Sequence, residues 1–535
     1  MTAVDRGAAG PSRGFHGGLR QSMAWLHTWV GLLLAAVLYF VFVTGSFGYF
    51  HAEIDRWMRP EMPPAPAQLP APEVMAMQAL AYLEQHAPDA VSWGVDLAAG
   101  RHTQFTRLYV SPGPSGAMPP VDLLDPRDGT PFAGVRATGG GRALYEMHYA
   151  LRYIDYDAAT YLVGAATLFM LVALVTGVIV HKKIFTDYFT FRPGRGPRNW
   201  QDGHNVVSVM ALPFLFVITL SGVVFFTFKY SPVVSWATYF AGPAAAARVA
   251  EDFVPFHPAP AGQRVPMSEV SGPLREAAAA WGAGQVGSLT VSNPGDARAQ
   301  LRIDRHQGLL FSRRSETWLY DATTGQRHAV VWPFLSTSDA VVARAGEEPS
   351  ADIWFADLLM TLHEGHFASP LVRWLYFGSG LLGAAMVATG SVLWANKRRQ
   401  RAARHGAGRC LVLVERLNVG VIAGLPLAVA SYFAANRLLP VDLPGRADGE
   451  IHTLFLVWAT ALLHALFSPP ARAWREQFAA VAASCAALPV INGLTTEKHL
   501  GRSLLAGDWV LAGFDLTALA MAVAFAAAAR QAGRP

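Results

Sequence analysis

Eight apolar stretches near the length that crosses a bilayer decide what this chain can fold into: 23–50, 158–181, 204–228, 371–395, 411–435, 450–467, 475–494 and 507–529. A spanning helix needs about 20 apolar residues. Backbone in lipid must satisfy its own hydrogen bonds, so these stretches read as helices. With 52% apolar and 15% charged residues among 535, the chain is too apolar for a soluble globule. The first stretch is longer than a signal-peptide core and no small-residue cleavage pattern follows it, so it reads as a retained helix.

Positive residues set the expected orientation. Arg6, Arg13 and Arg20 precede the first helix, Lys182, Lys183, Arg192, Arg195 and Arg198 join the second to the third, and Lys397, Arg398, Arg399, Arg401, Arg404 and Arg409 follow the fourth. Arg472 with Arg475, and Arg530 with Arg534, continue the alternation. Both termini are therefore expected in the cytoplasm of a bacterial inner membrane, with the long loops 51–157 and 229–370 in the periplasm. The formal charge of +5 is explained by these loops, which leaves no case for nucleic acid.

The two long loops repeat an order of elements. Each opens Pro-rich and then carries a helix-like segment, Pro72 to His86 and Pro266 to Trp281. Strand-like stretches follow, such as Thr106–Ser111 and Thr317–Asp321. Each closes on an Asp…Gly turn, Asp125 to Gly129 and Asp321 to Gly325. The expected fold is a mainly α, polytopic membrane protein. It has a duplicated four-helix core, two periplasmic α+β domains and about four C-terminal helices. The segments are 1–50, 51–157, 158–228, 229–370, 371–410 and 411–535.

The duplication extends to histidines. Helix one starts at His27 and reaches Thr44-Gly45; helix three starts at His204 and reaches Ser221-Gly222. In both, the glycine lies 18 residues after the histidine. That spacing is about 27 Å of helix, close to the hydrocarbon thickness. His148 stands ahead of helix two and His363 ahead of helix four, and these helices reach Thr176-Gly177 and Thr389-Gly390 before closing on basic residues. His27 and His204 are thus expected at the cytoplasmic face, His148 and His363 at the periplasmic face.

Two pairs of imidazoles at two depths are what a relay of two b-type haems requires, each haem taking two axial histidines from facing helices. The competing reading makes each histidine an interfacial residue; its recurrence in both copies favours the ligand reading, because intramembrane ionisable groups are costly. His181 ends helix two and competes for a place in the inner pair, although Trp394 stands at its position in helix four. His366 reads as a neighbour of His363 on one helical face, and His51, His452, His464 and His499, which have no counterparts, read as structural. The run His363-Glu-Gly-His366 lacks the i, i+4 spacing of a zinc-binding helix. Cys410 and Cys485 both lie in apolar stretches and offer no disulfide framework or thiolate site. Charged residues are nearly absent from the apolar stretches and no broken helix pair stands out, which disfavours a transporter.

Several motifs carry a resemblance: Leu26-His27-x-Trp29-x-Gly31, the run from His181 to Pro193, Trp200-Gln-Asp-Gly-His204-Asn205, Leu362-His363-Glu364-Gly365 and Arg373-Trp374-Leu375-Tyr376. Over about residues 20–400 the chain resembles the PepSY-associated transmembrane helix family. The remaining helices are similar to those of its longer members through the stretches Ala434–Pro440 and Leu494–Thr496. The resemblance implies an iron-regulated inner-membrane oxidoreductase with two b-type haems that reduces ferric siderophores. Arg152 stands where relatives often carry a further histidine.

No dinucleotide-binding Gly motif follows a strand pattern, so electrons are expected from a partner, a quinol or a cytoplasmic reductase. The basic, aromatic loop from Lys182 to Gly203 is either a docking place for that donor or an amphipathic segment on membrane lipid. The alternative function is a membrane-anchored interaction or regulatory module without redox activity. No residue cluster in the long loops marks a substrate pocket.

Overall fold

The computed structural model describes residues 18–64, 66–99, 101, 104–181, 197–225, 253–255, 258–306, 316–336, 340–345, 351–402 and 408–532. Its helices are α1 (Leu19–Leu33), α2 (Ala35–Gly48), α3 (His51–Met58), α4 (Pro72–His86), α5 (Gly140–Ala150), α6 (Tyr156–Val180), α7 (Pro197–Phe225), α8 (Ser271–Trp281) and α9 (Ala351–Glu364). They continue as α10 (Pro370–Ala402), α11 (Arg409–Ile422), α12 (Gly424–Leu438), α13 (Arg446–Phe467), α14 (Pro470–Thr495), α15 (Leu500–Leu505) and α16 (Trp509–Ala532). Among the described residues seven spans are long and apolar enough to cross a membrane, α11 and α12 counting as one, and the α1–α2 pair makes an eighth. The chain is a multi-pass membrane protein.

One span is broken, contrary to the expectation from sequence, and a second is interrupted at one residue, Ala423. The α1–α2 pair bends by 64° at Leu34. At the α11–α12 junction Gly420 and Gly424 let α13 approach, since a Cβ on either would lie under 3 Å from Leu462 or Ala461. Interrupting a helix in lipid releases carbonyls that need donors. Tyr39 Oη donates to the Ile422 carbonyl at 2.9 Å and Trp458 Nε1 to that of Gly420 at 3.1 Å.

The two long loops build one sheet. Its strands are β1 (Ser92–Asp96), β2 (Thr106–Ser111), β3 (Leu123–Leu124), β4 (Phe253–Pro255), β5 (Val286–Ser292), β6 (Gln300–Arg305), β7 (Thr317–Asp321), β8 (Arg327–Ser336) and β9 (Ala340–Ala345). Their order is β3-β2-β1-β5-β6-β7-β8-β9-β4, all antiparallel. Each loop does form a helix-plus-strands unit, but β1 of the first pairs with β5 of the second and joins them. The alternation of side chains along a strand sends Trp93, Val95, Leu108, Leu289, Leu301 and Ile303 into one core with Leu80 and Leu83 of α4 and Leu274 of α8. The polar set on those strands faces the other way. The Asp…Gly turns close as expected, Asp125 and Asp321 accepting from backbone N–H groups two residues on and Gly129 and Gly325 adopting positive φ.

The C-terminal helices are less apolar inside than their sequence suggested. Asn436, Arg437, Arg446, Glu450, Asn492 and Asp515 are all buried. They form one network at the sheet end of the bundle. Glu450 accepts from Arg446 at 2.5 Å, Asn436 at 2.7 Å and Thr138 at 2.5 Å. Arg437 donates to Asn492 at 2.9 Å and to the Trp57 carbonyl, and Asp515 accepts from Trp57 Nε1 at 3.0 Å. A buried charge without partners would cost several kcal/mol, and here each has more than one. The network grips the turn 137–140 that starts α5, where Tyr432 Oη also donates to the Gly140 carbonyl at 2.8 Å.

Candidate functional site

Four histidines sit in four copies of one cradle. The unit is a hydroxyl residue followed by glycine on a spanning helix, with the histidine of another helix laid against the glycine. Building a Cβ on Gly45 would place it 2.4 Å from His148 Nδ1. On Gly177 it would lie 3.2 Å from His27 Cε1, on Gly222 3.4 Å from His363 Cε1 and on Gly390 3.3 Å from His204 Cε1. At Gly45 a Cβ would collide with the ring, at Gly177 and Gly390 it would be tight, and at Gly222 it would make ordinary contact with the ring, so the need for glycine is strongest in the His148 cradle. The spacing matched in sequence was therefore the spacing between two cradle parts, and each histidine is held by the glycine of its own repeat.

The hydrogen bonds repeat as well. His27 Nδ1 donates to the Ala173 carbonyl at 2.8 Å, His148 Nδ1 to that of Val41 at 2.8 Å and His204 Nδ1 to that of Met386 at 3.1 Å. Each acceptor lies three residues before the cradle threonine: Thr176, Thr44 and Thr389. In the fourth copy His363 Nδ1 lies 2.8 Å from Ser221 Oγ. That hydroxyl already donates its proton to the Val217 carbonyl at 2.6 Å, so it accepts from the ring. A carbonyl oxygen can only accept, so Nδ1 carries the proton in every case and Nε2 keeps its lone pair. This is the tautomer a metal-ligating imidazole uses, oriented by an acceptor behind it.

The histidines fall into the two groups expected. His148 and His363 face each other with ring centroids 6.0 Å apart and planes 48° apart. Two imidazoles holding one metal by bonds of about 2 Å each place their centroids roughly 6 Å apart. At the other end, His204 lies within electrostatic range of both His27 and His181. His181 caps α6 and no described glycine approaches its ring. One turn beyond the Gly390 cradle, the buried Trp394 Nε1 has no hydrogen-bond partner among the described residues, while Arg398 stacks on its ring at 3.7 Å.

Other sequence candidates take lesser places. His366 pairs with Glu364 at 3.4 Å, His464 lies 3.0 Å from Glu476, and His452 stacks on Tyr153. Arg152 pairs with Asp448 at the surface. In the basic loop, residues 182–196 with Phe185, Tyr188, Phe189 and Phe191 lie outside the described residues; Trp200 is partly exposed.

One feature escaped the sequence reading. Between the polar face of the sheet, α3, the start of α5 and the turn after α9 lies a cavity of about 480 Å³, lined among others by seven arginines and three aspartates. Its residues come from strands far apart in sequence. The polar members of the alternation on β1, β2 and β6 were its available signal: Asp96, Arg107 with Tyr109, and Arg302 with Asp304.

A bundle that duplicates one helix pair, cradles an imidazole at each end of each copy and carries a sheet built by both copies defines a multi-pass membrane protein of the PepSY-associated type. The chain belongs to the family described as PepSY-associated TM region: that family's model matches residues 24–397, which takes in all four cradles and both sheet-forming loops. The C-terminal helices lie beyond the match. No curated protein matches the chain.

Proposed function

We propose that the chain binds two b-type haems, one between His27 and His204 and one between His148 and His363, and carries electrons across the membrane to a ferric chelate on the sheet side. When bound, the haems supply one-electron redox chemistry at two depths, set by their axial ligands and surroundings. The observation that carries this reading is the fourfold cradle, which presents an Nε2 lone pair at all four positions. The 6.0 Å separation of the outer rings suits a metal held between them. The unpartnered Trp394 indole suits a polar group of a cofactor beside the inner pair. Ligands such as these need a dry, rigid site, and the close-packed core around Leu215, Met170 and Val163 provides one. On this reading His181 is a neighbour of the inner pair.

The donor is a quinol or a cytoplasmic reductase, and the substrate is a siderophore-type ferric chelate. Purified protein from haem-replete cells should show a b-type spectrum with about two haems per chain. A colourless, folded protein would overturn the relay and leave a membrane-anchored interaction module.

A further inference from the structure

The arginine-lined cavity adjoins the outer histidine pair. His366, three residues past His363, lines it, as does His51, which stacks on Tyr145 three residues before His148. We propose that this cavity binds a compact ligand carrying several carboxylate-type oxyanions. Resting on the relay reading, that ligand is a polycarboxylate ferric chelate rather than a cationic one.

The charge pattern carries the proposal. Across the floor the register aligns Arg107, Asp96, Ser288 and Asp304 on four neighbouring strands. Asp304 is already occupied, accepting from Arg302 at 2.7 Å, Ser288 at 3.2 Å and Thr317 at 2.5 Å. Asp55 accepts from the Gly141 N–H at 2.9 Å and pairs with Arg59 at 3.5 Å. Behind the wall Glu53 takes Arg101 and Arg373, Asp508 takes Arg56, and Glu146 takes Arg142. Even with those three carboxylates and Arg373 counted, the guanidinium groups outnumber the carboxylates. On the sheet side lie Arg107, within electrostatic range of Asp55 and Asp122, and Arg305, whose Nε is buried with no hydrogen-bond partner among the described residues. Guanidinium forks match carboxylate oxygens two by two, and the volume suits a small ligand. Phosphate groups present similar oxygens, so a lipid headgroup is the other source of this chemistry.

The test is calorimetric titration of the full chain, in nanodiscs of neutral lipid, with gallium(III) citrate, which cannot be reduced in place of iron. Saturable binding is expected. It should weaken at least tenfold when Arg107→Gln and Arg305→Gln are combined, and recover in part with lysine at both positions. Asp96→Asn, which removes a negative charge from the floor, should tighten it, a gain that misfolding cannot mimic. The proposal is overturned by absent binding, by indifference to these substitutions, by equal affinity for a cationic gallium hydroxamate, or by displacement of citrate when anionic lipid enters the nanodisc. Binding by a colourless protein would retain the cavity assignment and sink the relay; a haem protein that reduces only cationic chelates would do the reverse.

Discussion

The duplicated core and the C-terminal bundle both bury polar side chains, and they use them in opposite ways. In the core each histidine spends one ring nitrogen on an acceptor and keeps the other nitrogen's lone pair. In the C-terminal bundle Glu450 alone accepts from Arg446, Asn436, Thr138 and the Gly139 N–H. A saturated network fixes geometry; a set of oriented imidazoles is, on the proposed reading, what holds a cofactor. On that reading the C-terminal helices are structural and the core carries the chemistry, even though the C-terminal charges are the more conspicuous in a membrane protein.

Removing one partner from the saturated network should have the largest effect. Glu450→Ala leaves Arg446 buried without its counter-charge and should cost about 3–5 kcal/mol, read as a lowered unfolding midpoint in detergent. Whatever folds should keep its full haem complement. His27→Ala or His363→Ala should do the converse: each removes one of two haems, measured by pyridine haemochrome, with the fold retained. Unchanged haem content in both variants refutes the ligand assignment. Gly45→Ala puts a methyl 2.4 Å from the His148 ring and should perturb the outer haem alone, whereas Gly378→Ala meets nothing within 4 Å and should be silent. Equal effects from the two would break the cradle argument.

The smallest effect expected is one of pH. Burial holds the Asp96 carboxyl above its ordinary range, partly offset by the hydrogen bond from Tyr109. Because the folded state binds this proton more tightly than the unfolded one, the contribution is fully present below the ordinary carboxylate range and is lost as pH rises through the raised value. Asp96→Asn should flatten that part of the stability–pH curve; an unchanged curve would show that Asp96 is not the group responsible.

Much of this was legible in the sequence because it is local or periodic. The α4 helix begins and ends at Pro72 and His86 as expected, and the strands Thr106–Ser111 and Thr317–Asp321 fall where alternation put them. The histidine repeat was visible as spacing. Its meaning was not, since the contact of His148 with Gly45 joins residues on different helices. The β1–β5 seam pairs Trp93 with Val291, and no short-range pattern specifies a partner that distant. The cavity stayed hidden for the same reason. The buried charges misled because Arg437, Arg446 and Glu450 sit near helix ends, where sequence alone reads them as facing water or headgroups.

The β1–β5 seam also dictates an order of assembly. Helices α6 and α7 lie between those two strands in the chain, so the sheet cannot close until both membrane crossings are complete. Until then β1 presents an open edge, a row of unpaired backbone groups that invites pairing with another chain. The long-range closure makes this a late step in folding. During synthesis, the period between emergence of the first loop and arrival of the second is when this protein is most exposed to aggregation.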